Sequence, residues 1–361
     1  MDLLPWYDTH ARVLPWRGTR DLYEIWVSEI MLQQTRVQTV LQYFQPFLLD
    51  FPDVETLGGA PLQAVLKRWE GLGYYGRARN LHRAAGEVMA EHAGQVPRTP
   101  EGLTSLPGIG RSTAHSILSI GLDLPLPVLD GNVQRVLTRL RGIAADPRSR
   151  EVDKELWNCA TQWIERSQRP GDHNQALMDL GATVCTPRAP ECARCPLGDS
   201  CIARRDGTWD RIPWKPGPKA IPHIHQAVAV VVAQGRILVQ RRPEEGLLGG
   251  LWEFPGSVIS DGETAGQAVL RTVREGLGLR VDSVEALSVV HHAYSHFKVT
   301  LHPYLCRWQQ GEVRSQEGKP TSWEDLCGLS TLPLSVANLK VLQQIDRLYL
   351  EDGNVLANPD R

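Results

Sequence analysis

The chain of 361 residues lacks several features that would decide its class outright. Its N-terminus, "MDLLPWYDTH", has no basic start running into an apolar core, which excludes a secretory signal peptide. No apolar run is long enough to span a bilayer; "AVAVVVA" at 227–233 is strand-sized. Charge of one sign is not in excess, with 39 Lys+Arg against 41 Asp+Glu and a net charge of −2. The halves before and after residue 224 are each near balance, so any polyanion must be met by a local surface, not a global basic field. Internal repeats and low-complexity tracts are absent as well. The expectation is a cytosolic globular protein without membrane contact, long enough for two domains with separate cores.

What is present is cysteine in one place. "CTPRAPECARCPLGDSC" holds Cys185, Cys192, Cys195 and Cys201, spaced C-x6-C-x2-C-x5-C. Two disulfides, a zinc site and an iron–sulfur cluster compete for this quartet. Disulfides are disfavoured in a reducing compartment. Structural zinc usually takes two C-x2-C knuckles, and only one pair occurs. Four thiolates on a compact loop stiffened by Pro187, Pro190 and Pro196 suit a cubane with one Cys per iron, so spacing favours the cluster without eliminating zinc. Cys159, Cys306 and Cys327 are isolated and are read as small buried hydrophobes.

Residues 1–203 read as helical. "WVSEIMLQQTRVQTVLQYF" (26–44) has helical apolar recurrence, and "TRVQ" at 35–38 reads as a capping box, which starts a new helix after Thr35. Glu29 lies on the short helix before that break. "TPEGLTSLPGIGRSTAHSILSIG" (99–121) places Thr99 as N-cap and Pro100 as first helical residue; Gly108 and Gly110 then make a tight turn into a second helix, a helix–hairpin–helix. The glycines allow close approach, and the N–H groups of the turn form an anion site for which a DNA phosphate is the natural ligand. "RRDGTWDRIPWKPGPKAIPH" (204–223) is rich in Pro, Gly and charge and reads as a connector, assigned to 204–224. Beyond it, "QAVAVVV" and "RILVQRR" read as strands around "AQG", 264–276 as a helix, and "SVVHHAYSHFKVTLHPYLC" as two β-runs. The fold class is therefore multi-domain: an all-α front and an α+β back at 225–350, with a tail at 351–361.

"SEIMLQQT", "GLGYYGRARNL", "LPGIGRSTA", "VLDGNVQRVL", "NQALMDLGATVC" and the cysteine loop, in that order, resemble the MutY adenine DNA glycosylases of the endonuclease III superfamily. The resemblance implies one 4Fe–4S cluster on Cys185, Cys192, Cys195 and Cys201 at 185–201, with Arg188 and Arg194 facing DNA. It also implies double-stranded DNA with adenine opposite 8-oxoguanine as the partner, a monomer, and action at the nucleoid in base excision repair.

Cleaving an N-glycosidic bond needs a proton for the departing base and a negative charge facing the oxocarbenium-like sugar, the logic of paired carboxylates. Glu29, among Val27, Ile30, Met31 and Leu32, should have a raised pKa if it faces a pocket, and could protonate adenine at N7. Asp130, in "LDGNV", precedes a helical pattern whose dipole should favour its ionised form. The family pattern matches Glu29 to the acid, Asp130 to the sugar-facing carboxylate and Asn132 to a residue near the sugar. Ser112 stands where endonuclease III-like enzymes carry a Schiff-base lysine, which implies hydrolysis without lysine-coupled strand cleavage. By the same resemblance Arg12, Leu14, Trp16, Arg17, Leu32, Val37 and Gln175 line the adenine pocket, and Gln33 and Tyr74 insert near the opposite base. Arg77 and Arg79 are assigned to phosphates or solvent.

"GLWEFPGSVISDGETAGQAVLRTVREGLGL" (250–279) resembles a Nudix module that departs from the hydrolase signature. Thr272 and Gly276 take two glutamate positions, and only Glu275 remains there, too few oxygen ligands for a divalent ion. "HAYSHFK" resembles the family's Phe-Ser-His loop for 8-oxoguanine, with Tyr294 in place of Phe, Ser295 to hydrogen-bond the lesion and His296 to support it. Tyr294 is expected to stack. His291 and His302 are read as ordinary sheet residues. Competing readings are a bifunctional or thymine-mismatch glycosylase, a lesion-binding protein without catalysis, and a nucleotide hydrolase.

Overall fold

The computed structural model describes residues 3–217, 220–315 and 319–351, so most of the tail assigned to 351–361 lies outside the described residues. Contacts divide the chain into one unit of Met1–Gly59 with Asn80–Pro218, and a second of Ala60–Arg79 with Lys219–Arg361. The cut is thus not linear: segment 60–79, read from sequence with the front, packs with the back.

The first unit is helical. Its helix α1 (Leu22–Leu32) is capped by Asp21, whose carboxylate accepts from the Tyr23 N–H at 2.7 Å and the Glu24 N–H at 3.4 Å. Tyr23, Ile25, Trp26, Val27, Ile30 and Met31 are all buried, so Glu29 interrupts a helix that is otherwise apolar nearly all round. The hairpin follows as α2 (Pro100–Ser105) and α3 (Arg111–Leu122), with Thr99 capping α2 through the Gly102 N–H. Gly108 has φ +81, and a Cβ there would lie 2.8 Å from Asn80 Cβ; Gly110 has φ −90 and a Cβ would meet open space. Only Gly108 is therefore demanded by the fold. The capping box expected at Thr35 does not form. Arg36 stays extended, the helix starts at Val37, and the Thr35 hydroxyl lies 3.4 Å from the Gln33 carbonyl instead.

Helix α4 (Gly131–Arg141) buries Val133, Val136, Leu137 and Leu140, the pattern read from the sequence. Helix α5 (Pro170–Thr183) is buried along most of its length. The two approach closely because residue 181 is glycine: a Cβ there would stand 2.7 Å from Asn132 Cβ and 3.0 Å from the Asn132 carbonyl. Asn174 of α5 ties down the chain entering α4, accepting from the Val128 N–H at 3.2 Å and donating to the Leu126 carbonyl at 2.8 Å.

The second unit is built on a mixed sheet. Its strands are β1 (His223–Ala233), β2 (Arg236–Arg241), β3 (Trp252–Glu253), β4 (Gly256–Val258), β5 (Arg280–Ala286), β6 (Val290–Ala293), β7 (Lys298–Gln310) and β8 (Thr321–Glu324). The main path runs β3-β2-β1-β7-β5; β1 and β7 are parallel, and the other pairs are antiparallel. Alternation along β1 feeds two cores. Val228, Val230 and Val232 join Val341 and Ile345 of helix α7 (Val336–Glu351), whereas Ala227, Ala229 and Val231 join Ala268 and Val269 of α6 (Ala265–Arg271). The helix expected over 264–276 ends as α at Arg271 and continues as a π-turn over Thr272–Gly276.

Segment 60–79 is bound into this unit by hydrogen bonds. Gln63 accepts from Trp252 Nε1 at 2.9 Å, Glu70 accepts from the Leu334 N–H at 2.7 Å, and Arg79 donates to the Gly249 carbonyl at 2.7 Å. Arg77 donates to the Gly73 carbonyl and lies over the Trp69 and Tyr74 rings. Both arginines are thus engaged within their own unit. Cys306 is buried as read, Cys159 half-buried, and Cys327 exposed, against expectation.

Candidate active site

A cleft of about 260 Å³ opens within the first unit, where α1, α3, α4 and α5 converge with segment 12–17. Glu29, Asp130 and Asn132 line it. So do Arg12, Leu14, Trp16, Arg17, Leu32, Val37 and Gln175, along with Gln33 and Ser112. Residues scattered over more than 160 positions of sequence therefore meet in one hollow.

Burial pushes the Glu29 carboxyl up to about 7, with Asp130's charge adding to the rise and Ser116 and Arg17 opposing it. The Ser116 hydroxyl is buried and within electrostatic reach of Glu29, though no hydrogen bond of good geometry joins them. Asp130 sits at the N-cap of α4. One oxygen accepts from the Val133 N–H at 2.7 Å and the other from Asn132 Nδ2 at 3.0 Å. Its pKa nevertheless lies above the usual carboxylate range, because burial outweighs the hydrogen bonds and the pull of Arg135. The helix terminus favours the Asp130 anion as expected, and burial is what works against it. The two carboxyls still differ in kind. Several donors stabilise an anion at Asp130, whereas Glu29 lacks comparable donors, so Asp130 is the carboxyl suited to hold the charge and Glu29 the one suited to hold the proton.

Sequence reasoning missed Asp179, although it lies one helical turn beyond Gln175 in the quoted "NQALMDLGATVC". Its side chain is fully buried and binds both arginines of the cleft, Arg12 at 2.6 Å and Arg17 at 2.8 Å. An acidic residue on a buried helix was the available signal. Ser28, Thr113 and Met178 also line the cleft and carried none.

The remaining assignments divide between the units. Gln33, past the end of α1, donates to Thr113 Oγ1 at 3.2 Å, and Ser112 Oγ accepts from the Leu129 N–H at 3.1 Å. In the second unit Tyr74, at φ +49, meets His296 edge-on with ring centroids 6.0 Å apart. Ser295 and His296 are exposed at the tip of the β6–β7 hairpin. Tyr294 is turned inward: its ring stacks on Phe297 at 4.6 Å and packs against the sheet core. It anchors the tip through this stack.

The four thiols Cys185, Cys192, Cys195 and Cys201 gather between two 3₁₀ turns and the C-terminal half of α4. Each is half-buried, and Cys195 is pushed up to about 11 by burial and by the other three. Four cysteine thiols gathered on one loop are a donor set that fits an iron–sulfur cluster, which they would hold together. Among the described residues no three His, Cys, Asp or Glu close into a site for a single ion. Arg139 reaches Cys185 Sγ at 3.4 Å and the Thr186 carbonyl at 2.7 Å, coupling this loop to α4. Arg194 pairs with Glu191 at 2.6 Å. In the Nudix-like signature, Thr272 bonds Ser257, Glu263 is taken by Arg271, and Glu275 is exposed, so no carboxylate cluster forms there.

Comparison with known proteins gives two matched families: HhH-GPD superfamily base excision DNA repair protein over residues 27–162, and NUDIX domain over 227–344. The chain is 36% identical to an adenine DNA glycosylase of Mus musculus, over 96% of this chain and 77% of that one. It is 33% identical to an adenine DNA glycosylase of Buchnera aphidicola subsp. Acyrthosiphon pisum, over 96% and 97%. The fold of a thermostable thymine-DNA glycosylase matches 56% of this chain and 94% of its own, with 28% identity and a TM-score of 0.52. No helix among the described residues is long and apolar enough to cross a membrane. The chain belongs to the adenine DNA glycosylase family, DNA N-glycosylases whose helix–hairpin–helix domain is here followed by a NUDIX domain.

Proposed function

We propose that this protein removes adenine from A:8-oxoguanine mispairs in double-stranded DNA by hydrolysis alone. The observation that carries the reading is the pairing of Glu29 with Asp130 across one cleft, each with the environment its role needs. The extruded adenine enters the cleft. Glu29 gives its proton to N7 as the bond to C1′ lengthens, and Asp130, fed by Val133 and Asn132, faces the sugar cation. Gln175 stands in the wall as an amide able to read adenine's edge. The turn at Gly108 and Gly110 offers its N–H groups to a backbone phosphate, and Gln33 fills the gap left by the base. Cys185, Cys192, Cys195 and Cys201 would hold the cluster, which would cross-link the lobe when bound.

Ser112 lines the cleft where a Schiff-base nucleophile would be needed, and a hydroxyl cannot form an imine. Borohydride added during turnover should therefore trap no covalent enzyme–DNA adduct, and strand cleavage should require alkali afterwards. A trapped adduct in good yield would contradict hydrolysis alone.

The exposed Ser295–His296 tip, beside Tyr74 and braced by Tyr294, supports reading of the opposite base by the second unit. Single-turnover adenine release is expected to be at least about tenfold faster opposite 8-oxoguanine than opposite guanine, the scale of one or two hydrogen bonds. Ser295→Ala should narrow that ratio. Equal wild-type rates on both duplexes would remove the recognition role from this loop.

A further inference from the structure

Behind the arginine wall of the cleft, Asp179 accepts five hydrogen bonds and is closed to solvent. Arg12 donates through Nε at 2.8 Å, Nη2 at 2.6 Å and its backbone N–H at 3.1 Å. Arg17 donates through Nη2 at 2.8 Å and Nη1 at 3.4 Å, and also to the Tyr7 hydroxyl, over whose ring it lies. One carboxylate serves two guanidinium groups, so a single positive charge is left over at the edge of the cleft. Arg17 is the cation that acts on Glu29.

Glu29 is faced from each side by a distinct group. Segment 12–17 brings Arg17, α3 brings the Ser116 hydroxyl, the start of α4 brings Asp130, and α5 brings the neutral Gln175. Asp130 and Ser116 act on Glu29 in opposite senses. Of these groups the Arg17 cation is the one whose charge is balanced by a further buried residue, Asp179, behind it.

We propose that Asp179 is a positioning residue for base release: it fixes Arg17 in the cleft wall that Glu29 shares and absorbs part of its charge, so that Glu29 can serve as the proton donor. The inference rests on Glu29 being the proton donor. A fully uncompensated cation a few ångströms from a carboxyl stabilises the anion and lowers its pKa by about 1–3. Glu29 would then be ionised at physiological pH and unable to donate. A bare buried carboxylate in place of the cluster would be equally unworkable, which is why the arginines come as a pair.

The test is the pH dependence of single-turnover adenine release from pH 5.5 to 9 in wild type, Asp179→Asn, Arg17→Met and Glu29→Gln. Activity requires protonated Glu29, so the rate falls as pH rises through its pKa. Asp179→Asn should move that falling limb down by about one pH unit, so that the loss is about twofold at pH 6 and about ninefold at pH 8. Arg17→Met should move the limb up. A uniform loss across the range in Asp179→Asn, with the midpoint unmoved, would show support of the fold only and overturn the inference. Should Asp179→Asn fail to fold by circular dichroism, Arg17→Met decides: an unmoved or lowered midpoint overturns it. Glu29→Gln separates the two ideas. If it keeps the falling limb, the reading of Glu29 fails; if it loses the limb while the other variants do not shift it, only the role of Asp179 fails.

Discussion

Glu29→Gln is expected to slow adenine release by about 10²–10⁴-fold, the range contributed by a positioned general acid. Glutamine keeps the shape and one hydrogen-bonding edge of the side chain, and the surrounding Val27, Ile30 and Met31 remain packed. What it loses is the proton. The wild-type carboxyl, lifted to about 7 by burial, is protonated in a large fraction of molecules at neutral pH and still acidic enough to donate. The sign follows: wild-type activity should decline as pH rises past about 7, and Glu29→Gln should show a low rate with that decline missing. DNA binding should persist, since the hairpin and the cleft walls are intact. The measurement is single-turnover kinetics with binding followed separately by fluorescence anisotropy. A variant within tenfold of wild type would mean that another group supplies the proton, or that departure of the base needs none.

The second large effect is expected at the cysteine loop. Cys195→Ser should abolish the visible absorption of an iron–sulfur cluster in the purified protein and destabilise the helical unit by more than about 4 kcal/mol, the scale reached when a structural metal centre is lost. For a unit of this size that is a fall of about 8–16 °C in melting temperature. The loop's carbonyls are not isolated from the active site. Arg135 donates to the Cys185 and Gly181 carbonyls at 2.8 and 2.7 Å, and Arg139 to that of Thr186. Both arginines sit on α4, whose N-cap is Asp130. Loosening the loop should therefore reduce activity as well as stability. Thermal melts and absorption spectra check this. A colourless wild-type protein with unchanged stability in the serine variant would contradict a structural cluster.

The parts of the fold carried by local rules were legible in the sequence. Thr99 before Pro100 fixes the start of α2, and the apolar recurrence of Val133, Val136, Leu137 and Leu140 fixes α4. The two-residue turn at Gln234–Gly235 between β1 and β2 shows as "AQG" between two β-branched runs. The capping box at Thr35 misled because a motif is only a local option, and Arg36 remained extended. Segment 60–79 was not legible as part of the second unit, since bonds such as Gln63 to Trp252 join residues far apart in sequence. The same applies to the site. Residue types and resemblance singled out Glu29, Asp130 and the pocket wall, but nothing local revealed that burial would raise Asp130 or that Asp179 would gather Arg12 and Arg17. Tyr294 was assigned by its motif, and its inward turn depends on the packing of Phe297 and the sheet.

The claim on which everything else depends is that one purine, turned out of the duplex, lies between the side chains at 29 and 130. A crystal structure of Asp130→Asn bound to an A:8-oxoguanine duplex tests it most directly, because slowed release leaves the base in place. The expected result is adenine inside the cleft, with N7 at about 2.6–3.2 Å from a Glu29 oxygen and the deoxyribose facing residue 130. Adenine held elsewhere on the protein, or a sugar remote from both side chains, would contradict the account.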